Sequence, residues 1–167
     1  MDLPFSVWDT IDNTTLYKTF LCKNCGGMRR SHRTNTLVLI SDHTKGVYAD
    51  SWDYSTGMLK YVGEGQKGNQ CFSGQNKVLA ESRINGVELH LFEVFVQNKY
   101  LYEGIVTLEG QPYFEEHSDV NKNLRHVVIF DIKIDPANLA TMTEYLRERN
   151  QWIFRLGFAD APEMEIC

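Results

Sequence analysis

The stretch Arg125–Ile134, RHVVIFDIKI, decides the fold class. Val128, Phe130, Ile132 and Ile134 alternate with Asp131 and Lys133, the period of two that a half-buried β-strand shows. Working outward from it, Tyr100–Glu109 reads as another strand, with Tyr100, Tyr102, Val106 and Leu108 on one face. Val87–Phe95 alternates at Val87, Leu89 and Leu91 and then changes phase at Phe92 and Val94, which predicts a bulge. Leu37–Ile40 is a short apolar run, a buried strand; Val47–Trp52 after Gly46 and Met58–Val62 after Ser55–Gly57 are two more. Asn76–Ile84 predicts a short helix that Asn85-Gly86 stops. Asp135-Pro136 opens a second helix, Asp as N-cap and Pro at the first position, with Leu139, Met142, Tyr145 and Leu146 as its apolar stripe to about Asn150. Gly63–Gly68 is too glycine-rich for regular structure, and the polar, acidic Gln111–Lys122 reads as a loop. Many short strands, one inserted helix and one final helix give an α+β, mainly β class: a twisted, barrel-like domain with helices packed outside.

The chain has 167 residues, enough for one domain with its own core. No apolar run approaches the length of a membrane span, and MDLPFSVWDT lacks the basic start and apolar centre of an export signal. The expected setting is therefore cytoplasmic and reducing, with free thiols. Cys22 and Cys25 form a CxxC, but no second CxxC or HxxxH supplies the four ligands of a structural zinc site, so no metal and no cofactor is expected. The net charge of −5 argues against a nucleic-acid partner until its distribution is considered. Between Asp12 and Asp42 there is no acidic residue, while Lys18, Lys23, Arg29, Arg30, His32 and Arg33 lie inside that window. The acids collect in Glu109–Asp119 and from Glu144 to Glu165. A basic segment in an acidic chain is a local footprint for an anion; a solvated loop whose charges pair elsewhere would look the same.

Three motifs carry chemistry. Tyr48, Asp50 and Trp52 share one strand face, and Tyr61 follows a short turn later. Flat rings flanking a carboxylate are the parts of a pocket for a planar polar ring, such as cytosine with its N4 amino donor. A core Trp and Tyr beside a turn carboxylate would leave the same pattern. Gly26-Gly27-Met28-Arg29-Arg30-Ser31 offers close backbone approach and forked donors to phosphate, or is simply a surface loop. Gly65–Gln70 and Gln75–Lys77 are rich in side-chain amides and glycine, as base-edge contacts or an ordinary loop and cap. No catalytic constellation stands out. The five histidines are scattered, there is no P-loop or dinucleotide fingerprint, and no zinc-deaminase signature occurs.

The ordered set GGMRRSHRTNTLVLISDHTKG, YADSWD, LKYVGEGQKGNQ, QNKVLAES, VELHLFEVF, YLYEGIVTLEGQPY and LRHVVIFDIKI resembles the SRA-like domain of McrA-type HNH endonucleases, over roughly Cys25–Ile134. That resemblance implies a PUA/SRA-like β-barrel that flips a modified cytosine, 5-methyl or 5-hydroxymethyl, out of double-stranded DNA. It implies Tyr48 and Tyr61 as stacking aromatics and Asp50 as the carboxylate reading the cytosine edge, with Asp53 the competing carboxylate and Trp52 on the same face. Val62 stands where the family commonly has Thr, and Asn69 where it has an acid. Expected backbone or loop contacts are Arg29, Arg30, Ser31, Arg33, Lys67, Gln70, Asn76 and Lys77. Residues 1–135 are then the DNA-binding domain, and 136–167 a helix and candidate linker toward a nuclease domain of the parent protein. The sequence contains no HNH motif, so this chain is expected to read rather than cut. Three alternatives remain: a PUA-like reader of modified RNA or another modified base, a nucleobase-acting enzyme such as a glycosylase, and a protein-interaction module using the acidic tail.

Overall fold

The computed structural model describes residues 1–45, 50–53, 56–134, 147 and 151. Among these, the strands are β1 (Thr10–Ile11), β2 (Met28–Ser31), β3 (Thr36–Asp42), β4 (Ser51–Asp53), β5 (Met58–Val62), β6 (Glu88–Val96), β7 (Lys99–Ser118) and β8 (Leu124–Ile134). The helices are α1 (Asn13–Phe20), α2 (Gly74–Ala80) and α3 (Ser82–Asn85). The strands form one eight-stranded sheet in the order β2-β3-β6-β7-β8-β5-β4, with β1 added on β7. The class is mainly β as expected, but the sheet does not close into a barrel. The helix expected from Asp135 to Asn150 lies outside the described residues.

Two apolar clusters hold the sheet from opposite faces. Leu37, Leu39, Leu89 and Leu91 face Leu59, Phe130, Ile132 and Leu79. Val38, Ile40, Phe92 and Val94 face Leu16 and Phe20 of α1, with Phe5 packed against them. β3 and β6 pair in parallel, Leu37 beside Leu89 and Leu39 beside Leu91, and both strands are buried almost throughout. Burial on both faces explains why β3 shows an unbroken apolar run rather than alternation. The bulge expected at Phe92 and Val94 is displaced: where the pairing of β6 with β7 slips between Leu91 and Phe92 the extra residue is Glu103 of β7, and β6 carries an extra residue of its own only at Phe95, between Val94 and Val96.

Four sequence expectations are corrected. The acidic stretch after Glu109 is not a loop: β7 continues to Ser118 and pairs with β8, Glu115 opposite Val127. Most of its side chains here are exposed, so no apolar period marks it. Met28–Ser31 is strand, pairing with β3. The single helix expected over Asn76–Ile84 is two, broken at Glu81. Finally, α1 was not expected. It starts on Asp12, whose Oδ1 accepts the Thr15 N–H at 2.7 Å, and buries Leu16 and Phe20, one turn apart. Each such side chain contributes about 1.5–3 kcal/mol by burial.

Candidate functional site

Three strand ends meet around Asp50, which lies just ahead of β4. Its Oδ1 accepts the backbone N–H of Val62 in β5 at 2.7 Å. Its Oδ2 accepts the hydroxyl of Ser41 in β3 at 2.8 Å. Burial pushes the Asp50 carboxyl up to about 6, while those two hydrogen bonds and His43 work against the rise and Glu93 adds to it. A carboxyl poised to change charge near neutral pH is a frequent mark of a working group.

Asp50 lines a small cavity of about 30 Å³, together with Gly27, Met28, Ile40 and Tyr61. That volume admits a water molecule or two. Tyr61 is 2% exposed, and its hydroxyl lies 2.7 Å from the carbonyl oxygen of Gly27 and 3.2 Å from that of Ile40. Its ring is thus locked across β2 and β3. Past Gly27, Ile40 and Glu64 the small cavity adjoins a larger one of about 350 Å³, which Arg29, Lys45 and Tyr100 also line.

The loop after Tyr61 is braced rather than loose. Gln70 donates from Nε2 to the carbonyls of Gly63 (2.6 Å) and Gly65 (3.0 Å), and its Oε1 accepts the Val128 N–H at 2.9 Å. Asn76 accepts the Glu64 N–H at 2.8 Å and donates to the carbonyls of Glu64 and Cys71. Arg125, on β8, donates to the carbonyls of Gly65 and Gly68. A methyl group on Gly63 would sit 2.8 Å from Asn76 Oδ1 and 2.9 Å from Gln70 Oε1, so this turn requires glycine.

These contacts sort the expected site residues. Asp50 and Tyr61 are together at one cavity, whereas Asp53 is exposed on the far end of β4. Trp52 is half-buried against the core and donates from Nε1 to Glu93 at 3.2 Å. Tyr48 lies outside the described residues. Arg29 is corrected: it is 3% exposed, donating to Gly26 O (2.9 Å), Asn13 Oδ1 (2.6 Å) and Tyr100 Oη (3.4 Å), with its guanidinium over the Tyr100 ring. Ser31 is equally buried, bonded to the Leu21 carbonyl. Arg30 donates to Ser31 O, Thr36 O and Asn35 Oδ1. Gln70 and Asn76 are internal braces. Lys67, Lys77 and Arg33 are exposed, as is Lys45 at the rim of the larger cavity. Sequence reasoning missed Ser41, His43 and Glu93. Glu93 left a signal, a lone carboxylate inside the apolar run LHLFEVFV.

Among the described residues no group of three or more His, Cys, Asp or Glu side chains is placed to hold a metal ion. Cys22, Cys25 and Cys71 are free thiols. No helix among them is long and apolar enough to cross a membrane.

Comparison with known proteins adds the following. The family described as ScoMcrA-like, SRA domain, matches residues 9–150. Among solved structures, the sulfur-binding and SRA domains of ScoMcrA complexed with phosphorothioated DNA superpose with a TM-score of 0.66 at 21% identity, covering 89% of this chain and 46% of that one. The SRA domain of SUVH5 with hemi-methylated CG DNA gives a TM-score of 0.59 at 18% identity, over 81% of this chain and 92% of that one. The same domain bound to fully hydroxymethylated CG DNA gives 0.55 at 18% identity, over 81% and 93%. At these identities the likeness is one of fold. The chain spans less than half of the ScoMcrA chains it matches, 46% of one and 28% of the other. No protein with a curated description matches.

Proposed function

The chain belongs to the ScoMcrA-like SRA domain family, and from that premise we propose that it reads a modified cytosine in double-stranded DNA by taking the flipped base against Asp50. The observation that carries this reading is the Asp50 carboxyl, held from two sides by the Val62 N–H and the Ser41 hydroxyl at a cavity that Tyr61 also lines. A carboxylate fixed in this way has lone pairs left to accept the cytosine N4 amino group, the donor on that base's edge. The base enters through the larger cavity and widens the smaller one. Extruding it costs a few kcal/mol, which stacking and the pocket hydrogen bonds must offset.

Burial of one extra methyl is worth only about 0.8 kcal/mol, so strong selectivity requires polar or steric contacts to the C5 substituent. Phosphate contact falls to the exposed cations, Lys45 at the cavity rim and Lys67 in the adjacent loop, because Arg29 is committed inside. The chain acts as a recognition module, and nuclease chemistry belongs to another part of its parent protein. Incubation of the purified chain with modified plasmid and divalent metal is expected to leave the DNA intact.

The deciding experiment is a titration of unmodified, 5-methylated, 5-hydroxymethylated and phosphorothioated duplexes at fixed salt. A preference for a modified cytosine supports the reading. Equal binding of all four, or preference for the phosphorothioate alone, overturns it.

A further inference from the structure

We propose that Glu93 is the positioning residue of the Asp50 pocket, fastening the chain on both sides of that carboxyl; the inference rests on the reading of Asp50 given above.

Glu93 is 0% exposed on β6, a strand whose buried positions are otherwise apolar apart from His90. A buried carboxylate is costly unless it is paired, so its presence there needs a reason beyond packing. Its Oε2 accepts the His43 Nε2–H at 2.8 Å, and its Oε1 accepts the Trp52 indole N–H at 3.2 Å. His43 precedes Asp50 in the chain and Trp52 follows it, so one buried group holds both flanks. The His43 ring also lies flat on Phe95, centroids 4.6 Å apart and planes 11° apart, which fixes its orientation.

The parallel register of β3 and β6 sets Ser41 directly beside Glu93. Ser41 is the residue whose hydroxyl reaches Asp50 Oδ2, and its Oγ lies 3.4 Å from His43 Nε2. Among the described residues, Asp50 meets the Ser41 hydroxyl, the Val62 N–H, His43 and Glu93, and Glu93 meets at least His43, Trp52 and Asp50. An amide in place of the carboxylate keeps one acceptor for two donors, so at least one flank loses its charged hydrogen bond and Asp50 loses part of the fixed geometry that lets it accept from a base edge.

The test uses Glu93→Gln in the whole chain, with Trp52→Phe and His43→Phe as partners that keep a ring and remove one donor each. The ratio of affinities for modified and unmodified duplex is expected to fall roughly tenfold in Glu93→Gln, on the scale of one charged hydrogen bond. Affinity for unmodified DNA should stay within about twofold, because phosphate contacts are untouched. Without DNA, the amide proton of Val62, whose nitrogen lies 2.7 Å from Asp50 Oδ1, should move upfield by NMR. Trp52→Phe and His43→Phe should each produce part of the loss and add little on top of Glu93→Gln. An unchanged ratio and an unchanged Val62 amide in folded Glu93→Gln overturn the proposal. So does equal weakening of both duplexes in step with thermal stability, which is the mark of a packing role only. Asp50→Asn separates the two readings. If it loses the preference while Glu93→Gln keeps it, only the Glu93 inference fails; if Asp50→Asn keeps the preference, the pocket assignment itself fails.

Discussion

Replacing Asp50 by Asn should make the protein more stable and less selective at once. The folded carboxyl is pushed up to about 6 from the 3.8 of an unburied aspartate, chiefly by burial. A carboxyl that holds its proton more tightly when folded contributes stability in full below its unfolded value and loses it as pH rises through the folded one. Wild-type stability should therefore decline between about pH 4 and pH 6 by up to about 3 kcal/mol, or about 1–3 kcal/mol allowing for screening at a half-buried site. Asp50→Asn has the same shape, its oxygen accepts from Val62, its amide group donates to Ser41 Oγ, and it has no proton to lose. Its stability should exceed wild type by about 1–3 kcal/mol above pH 7 and match it near pH 4. The amide also presents N–H groups where the carboxylate offered a lone pair, so the cytosine amino group is left unpaired. That costs about 1–3 kcal/mol, roughly a 5- to 150-fold loss of affinity for the flipped base, which falls on modified DNA and spares unmodified DNA held through its phosphates alone, so the preference drops with it. The assays are urea denaturation from pH 4 to 8 and duplex titration at pH 7.5. Lower stability of the variant at pH 7.5 would show that the charge serves the fold. Full retention of the preference would show that another group reads the base.

Arg29→Ala should cost about 1–2 kcal/mol in chemical denaturation, since it removes the hydrogen bonds of a buried guanidinium to the Gly26 carbonyl and Asn13 Oδ1, and should leave the salt slope of DNA binding unchanged. Lys45→Ala with Lys67→Ala should weaken modified and unmodified duplexes alike and flatten that slope by up to about two units, read from affinities over a salt series. Gly63→Ala should lose about 1–3 kcal/mol, because the two atoms its methyl would strike are held in place as acceptors of backbone N–H groups; thermal melts check it.

What was legible in the sequence followed from burial. β8, β5 and β3 declared themselves because apolar side chains on a pleated strand must alternate or, when both faces are covered, run together. The ribbon Tyr113–Ser118 did not, because it is held by backbone pairing to Leu124–Ile129 and has no buried face to impose a period. Arg29 was misread for a related reason. A cationic side chain in a glycine-flanked segment reads as surface, and only the fold brings Asn13 from α1 and Tyr100 from β7 around it. Asp50 was legible as a candidate from its neighbours Tyr48 and Trp52, but the groups that hold it come from β3 and β5, and no local pattern names them.

The Ser41–Glu93 pair nonetheless follows from apolar matching. Leu37 and Leu39 occupy alternate positions of β3, and Leu89 and Leu91 occupy alternate positions of β6. All four belong to one core cluster, so the parallel register that sets Leu37 by Leu89 and Leu39 by Leu91 is fixed by their burial. Two residues further along each strand, the same face reaches Ser41 and Glu93. A slip of one residue would turn Leu37 and Leu39 away from Leu59 and Phe130 and would carry Ser41 to the opposite face, toward Phe20. The polar network that holds Asp50 is thus placed by the leucines beneath it. Substitutions that preserve those leucines should preserve the position of Glu93 even where they change the pocket above.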